Sequence, residues 1–240
     1  MLIKNNKDKG DKPSKKKIWL FGAPLSGKTT IVDKFPKALI LNTDSNTASL
    51  KNDYAEIKDE VVVNGRMVNR KEAWLVFKEA VEELEKKQNE YETIVVDVLD
   101  HVFEHCRSYM FKQLGIKHES DAGFGKGYDI VRKEFLDTIK RLLNTDYQNI
   151  ILISHEDLSK SVTNRAGGSV TRIIPNIPEK VATTLAGMVG LIGRVHVQDG
   201  EYIMSIKSDE SVFGGNRLGV KGLDIPLEYD KLMDVYNQAN

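Results

Sequence analysis

The sequence predicts an α/β fold: a mostly parallel central sheet flanked by helices, with an antiparallel hairpin near the C-terminal end. Three observations predict it. Residues 18–21, 38–41, 93–97 and 149–154 form short runs that are apolar almost throughout, as strands buried on both faces are. The stretches between them repeat apolar residues at helical spacing, and strands alternating with helices build parallel sheets. Late in the chain, Asp199-Gly200 separates two alternating segments, 189–197 and 201–207, which marks a hairpin.

Taken in order, Ile18-Trp19-Leu20-Phe21 reads as a buried strand entering a glycine turn at Gly22, and a helix opens near Thr29 and runs to Lys34. Residues 38–41 form the next strand, ending at Asn42-Thr43-Asp44. Asn64-Gly65 centres a hairpin within 57–69. Arg70 to Lys87 is an amphipathic helix through Ala73, Phe77, Ala80 and Leu84. A third strand ends at Asp97 and is followed by a helix from about Leu99 to Gln113. A glycine-bearing connector, 122–127, leads to a helix over 128–144 and a fourth strand ending at Ser154. Residues 158–178 read as a long exposed loop or hairpin, and 226–236 as a short helix.

With 240 residues and 40% hydrophobic content, one domain can bury a full core. The expected organisation is a flexible basic tail over 1–17, with seven lysines and two aspartates, followed by the folded domain over 18–240. The formal net charge is zero, so attraction to a polyanion must come from local patches. The single cysteine, Cys106, excludes a disulfide framework within the chain and fits a cytoplasmic setting. No apolar run reaches the roughly 20 residues that span a bilayer, so no membrane partner is expected.

The segment Gly22-Ala23-Pro24-Leu25-Ser26-Gly27-Lys28-Thr29, followed by Thr30, matches the phosphate-binding loop in full, and it sits between a buried strand and a helix as that loop must. Its glycines let backbone N–H groups turn inward to phosphate oxygens. Lys28 is placed for the β- and γ-phosphates of ATP, and the Thr29 hydroxyl for Mg²⁺. Asp97, closing a β-branched run, is the second acid that holds the hydrated ion, whereas Asp100 reads as a helix N-terminal acid. Hydrolysis also needs a group that orients or deprotonates water. Asp44 is one candidate, with a turn aspartate as the competing reading. His155 and Glu156 follow the fourth strand, where ligands sit in open α/β sheets. His155 is placed to sense the γ-phosphate, and Glu156 is a rival base.

The segment 158–178 carries Lys160, Arg165 and Arg172 and no acidic residue, which suits contact with a phosphate backbone. Phe124 and Tyr128, beside Lys126 in the other connector, offer rings for base stacking.

The order of these parts resembles the RecA-like recombinase core, and more closely the compact phage-encoded ATP-binding proteins of that superfamily that act in recombination or single-strand annealing. The resemblance runs over roughly 18–225 and rests on the phosphate loop, Ile94-Val95-Val96-Asp97, Phe124-Gly125-Lys126-Gly127-Tyr128 and Ile151-Leu152-Ile153-Ser154-His155-Glu156. It implies a RecA-like fold and an ATPase using ATP and Mg²⁺ and acting on single-stranded DNA. It also implies a homo-oligomer, ring or filament, or replication and recombination proteins as partners, in the host cytoplasm. Asp44 stands where such proteins carry a catalytic glutamate, and His155 where a glutamine senses the γ-phosphate. By the same resemblance, 123–128 and 158–172 correspond to two DNA-binding loops, and Lys207 and Arg217 to residues that reach a neighbouring subunit's nucleotide. The family's polymerising terminal domain has no counterpart expected in the basic segment 1–17, so the resemblance and not the sequence pattern carries the ring or filament expectation. Two other classes stay open: a small-molecule or nucleotide kinase on the same scaffold, and a nucleotide-gated adaptor with little hydrolysis.

Overall fold

The computed structural model describes residues 15–45, 47–48, 50–123, 125–163, 169–207 and 211–238. Twelve strands and six α-helices are present among them. The P-loop strand β1 (Lys16–Gly22) leads into the one-and-a-half-turn helix α1 (Lys28–Val32), then β2 (Ala38–Asn42) and β3 (Asp53–Glu56). A separate hairpin, β4 (Glu60–Asn64) and β5 (Met67–Lys71), precedes α2 (Ala73–Lys86), β6 (Thr93–Asp97) and α3 (Leu99–Leu114). A short 3₁₀ helix, Glu119–Ala122, opens into α4 (Lys126–Asn144). The long strand β7 (Asn149–Thr163) turns back as β8 (Ser169–Pro175), and α5 (Glu179–Ala186), β9 (Leu191–Gln198), β10 (Glu201–Ser205), β11 (Gly215–Asn216), β12 (Asp224–Pro226) and α6 (Tyr229–Gln238) complete the fold.

The main sheet runs β12-β10-β9-β1-β7-β6-β2-β3. Neighbours from β9 through β3 pair in parallel, and β10 and β12 extend the sheet antiparallel. The expected α/β class is therefore the observed one, with the late hairpin at the 199–200 turn where the sequence marks it. The strand β7, which follows β6 in the chain but is far from β1, lies between the P-loop strand and the Asp97 strand.

The continuous apolar character of β1 follows from its burial on both faces. Trp19 and Phe21 enter a core with α2, α3, α4 and α5, whereas Ile18 and Leu20 enter a second core with α1 and α6. Trp19 is fully buried, meets Phe213 edge-on with centroids 5.7 Å apart, and donates its indole N–H to Ser154 Oγ at 2.8 Å. Trp19→Ala removes that ring from a close-packed layer and strips a buried hydroxyl of its donor. An expected loss of about 3–5 kcal/mol follows, to be read from denaturant midpoints of the two proteins.

The structure differs from the sequence expectation in four places. The first strand starts at Lys16, two residues inside the expected tail, because it pairs with β7 from Lys16↔Asn149 onward. Residues 1–14 of that tail lie outside the described residues. The helix expected from Arg70 begins at Ala73, since Arg70 and Lys71 pair with Val61 and Glu60 in the β4–β5 hairpin. The fourth strand does not stop at Ser154; it continues nine residues to Thr163 and pairs with β8, so the 158–178 segment is largely ribbon. The short strand β3 and the eight-residue helix α5 fall in segments to which the sequence reading assigns no element.

Candidate active site: a phosphate-binding cleft at the strand ends

Parallel pairing of β1, β7, β6 and β2 brings their C-terminal ends to one edge, and with them Gly22, His155, Asp97 and Asn42. The loop after β1 forms the floor. A Cβ on Gly22 would lie 2.0 Å from the Val195 carbonyl oxygen, so only glycine allows this approach to β9. Gly27 sits at φ 93°, and a Cβ there would meet Leu227 at 2.9 Å and Tyr202 at 3.2 Å. Both positions therefore need glycine for reasons the motif alone does not supply. Leu25, at φ 63°, leaves its side chain almost wholly in solvent.

Lys28 is buried, and its ammonium donates to the carbonyls of Gly22 at 2.8 Å and Ala23 at 2.6 Å. Burial lowers its pKa, while Asp97, Glu156 and Asp100 push back toward the charged form. The Thr29 hydroxyl donates to Asp97 Oδ2 at 2.8 Å. Asp97 is itself buried; burial raises its carboxyl above the usual range, and the Thr29 hydrogen bond partly offsets this. A buried carboxylate paired so sparingly is costly unless a cation comes to it. Hydroxyl and carboxylate oxygens side by side are the donor set that a hard ion such as Mg²⁺ takes. The residues present thus fit the metal and the nucleotide.

These groups line one cleft of about 920 Å³, together with Asp44, His155, Thr30, Tyr202, Leu227 and Tyr229. That volume lies within the range of small-molecule sites. Asp44 accepts from Asn42 Nδ2 at 3.0 Å and faces the cleft from the end of β2. His155 Nδ1 lies 2.8 Å from Asp100 Oδ2, and Asp100 Oδ1 accepts the His155 backbone N–H at 3.0 Å.

Other expected site residues are placed elsewhere. Glu156, one residue beyond His155 on β7, points to the other face of the sheet, where Arg194 Nε donates to its Oε2 at 2.9 Å. Its carboxylate is engaged and does not line the cleft, which argues against the rival-base reading. Lys207 is ion-paired with Asp224, and Arg217 donates to the Gly187 carbonyl at 2.7 Å; neither lines the cleft. Arg172 pairs with Glu179 at 3.0 Å, directly across the ribbon from Lys160. Lys126 is exposed at the start of α4, while Arg165 and Phe124 lie outside the described residues. Sequence reasoning missed Tyr202, Leu227 and Tyr229, because they come from the far end of the chain and carry no motif.

The profile of the AAA domain matches residues 14–218. The chain belongs to the AAA-domain family. In this AAA domain β7 lies between the strands that carry the phosphate loop and Asp97. No curated protein matches its sequence. Among solved structures the AAA domain is similar to "Crystal structure of the RadB recombinase", at 12% identity and a TM-score of 0.45, over 87% of this chain and 84% of that one. Among the described residues of the AAA domain, no helix is long and apolar enough to cross a membrane.

Proposed function

We propose that this protein binds ATP–Mg²⁺ and hydrolyses it to ADP and phosphate in response to single-stranded DNA, as part of phage recombination or replication. The observation that carries the nucleotide chemistry is the convergence of Lys28, the Thr29–Asp97 pair, Asp44 and His155 on one cleft. Lys28 neutralises charge on the β- and γ-phosphates. Thr29 and Asp97 would hold Mg²⁺, which when bound screens phosphate charge. Asp44 accepts a hydrogen bond from the attacking water and orients it in line. His155 contacts the γ-phosphate from the β7 side.

The DNA part of the reading rests on the ribbon. β7 passes without a break from His155 in the cleft to Lys160, which stands opposite Arg172. What supports the ribbon is the run 158–178, which carries Lys160, Arg165 and Arg172 and no acid, and so suits contact with a phosphate backbone.

The test is the ATPase rate with and without single-stranded DNA. The expected result is a rate that rises with DNA, and a Lys160→Ala/Arg172→Ala protein that loses the rise while keeping its basal rate. The salt dependence of DNA binding should fall by roughly one unit of slope per phosphate contact removed. A rate indifferent to DNA counts against the reading. One observation favours a second one: with Glu156 committed to Arg194, only the short side chain of Asp44 serves as base candidate. Tight ATP binding without turnover, with or without DNA, would mark the protein as a nucleotide-gated adaptor.

A further inference from the structure

Asp100 is a buried acid three residues beyond Asp97, and the nucleotide chemistry above gives it no task. Both of its carboxylate oxygens are spent on one residue. Oδ1 accepts the backbone N–H of His155 at 3.0 Å, and Oδ2 lies 2.8 Å from the same residue's ring Nδ1. A first-turn helical acid would be expected to serve its own helix end. This one, besides accepting from its own backbone N–H, reaches across to β7 and grips the ring that lines the cleft.

We propose that Asp100 is a positioning residue that keeps the proton on Nδ1 of His155, so that Nε2 alone faces the nucleotide and can donate to the terminal phosphate only when the ring is charged. The chemistry follows from the inventory of donors. A carboxylate only accepts, so the facing Nδ1 must be N–H. In the neutral ring Nε2 is then a lone pair, which repels a phosphate oxygen. In the imidazolium it is N–H, and the contact becomes a charge-assisted hydrogen bond. The His155 sensor is thereby gated by protonation, unlike an amide in the same place. This inference rests on the nucleotide assignment of the cleft.

The charged surroundings agree. His155 faces Asp100 and His101 from α3, with the two rings 5.7 Å apart, and Lys28 and Asp97 from the adjoining elements; Asp44 lines the same cleft from the end of β2. Glu156 on its own strand is turned away to Arg194. The hydrogen bond with Asp100 raises the His155 pKa; burial and Lys28 oppose it, and Asp97 assists. A raised value means that the charge persists above the ordinary imidazole range and is lost as pH rises through the raised value.

Asp100→Asn tests this. The amide N–H₂ can face Nδ1 and reverse the tautomer, leaving Nε2–H without charge. Ring ¹⁵N and ¹³C shifts of His155, assigned by comparison with His155→Gln, are followed against pH with ADP bound. In the native protein the neutral ring should be the Nδ1–H tautomer, with a midpoint above that of a free imidazole. In Asp100→Asn the midpoint should fall and the neutral ring should become Nε2–H. An Nε2–H tautomer in the native protein overturns the proposal, and so does an unmoved midpoint in the variant. The native titration decides the tautomer even if the variant folds poorly. These shifts do not require turnover, so they stand apart from the ATPase reading, whose own failure would show as no nucleotide bound. Where turnover is measured, its decline at high pH should move to lower pH or vanish in Asp100→Asn.

Discussion

Lys28→Ala should lower nucleotide affinity or turnover by about 10²–10³-fold, the equivalent of about 3–4 kcal/mol. The size follows from where the ammonium sits. It is buried, held by two carbonyls of its own loop, and lines the cleft where the proposed function puts the phosphates. A charge-assisted bond in such a low-dielectric site exceeds its value on a surface. The same substitution costs the loop three internal hydrogen bonds, to the Gly22 and Ala23 carbonyls and to Ser26 Oγ, so a modest drop in stability accompanies it. Binding and stability separate the two effects: calorimetric ATP affinity should collapse while the unfolding transition stays cooperative. Retained ATP affinity would overturn the placement of the phosphates.

Asp97→Asn is expected to reduce Mg²⁺-dependent turnover by about 10²-fold or more, in line with the several kcal/mol that metal-held charge contributes to phosphoryl transfer. The replacement keeps the shape and can still accept the Thr29 hydroxyl, so what it removes is the charge. That charge is costly in the folded chain, since burial disfavours it and Asp44 adds to the cost, while the Thr29 hydrogen bond, Lys28 and His155 only partly offset it. The variant should therefore be as stable as the native protein, or more so, in metal-free buffer. Thermal unfolding with EDTA and ATPase titration with Mg²⁺ check both halves. Turnover within a few-fold of native at saturating Mg²⁺ would remove Asp97 from the metal site. A large loss of stability would recast it as a structural acid.

The phosphate loop was legible in the sequence because its chemistry is local. Eight consecutive residues provide the turn, the amine and the hydroxyl, and the preceding apolar run sets their place. Asp97 and His155 were legible for a related reason: each closes a run that can only be a buried strand, and such ends lie at one edge of a parallel sheet. The side to which each residue points was not legible. His155 and Glu156 are neighbours on β7, and the alternation of strand side chains sends one to the cleft and the other to Arg194. The wall formed by Tyr202, Leu227 and Tyr229 was likewise hidden, since it comes from β10, the segment before α6 and the first residue of α6, and Tyr202 and Leu227 meet Gly27 only after the sheet has closed.

By itself, then, the sequence determined the α/β class and the strand-end positions of the 22–29 loop and of Asp97, because periodicity and short motifs are properties of neighbouring residues. Only the tertiary structure decided that Asp100 belongs to His155, that Glu156 is taken by Arg194, and that Lys207 and Arg217 are held by Asp224 and the Gly187 carbonyl. Each of those pairings joins residues at least seventeen positions apart. The physical reason is that a charged side chain is committed by whichever opposite charge or carbonyl packing brings within hydrogen-bond reach, and no local pattern carries that distance.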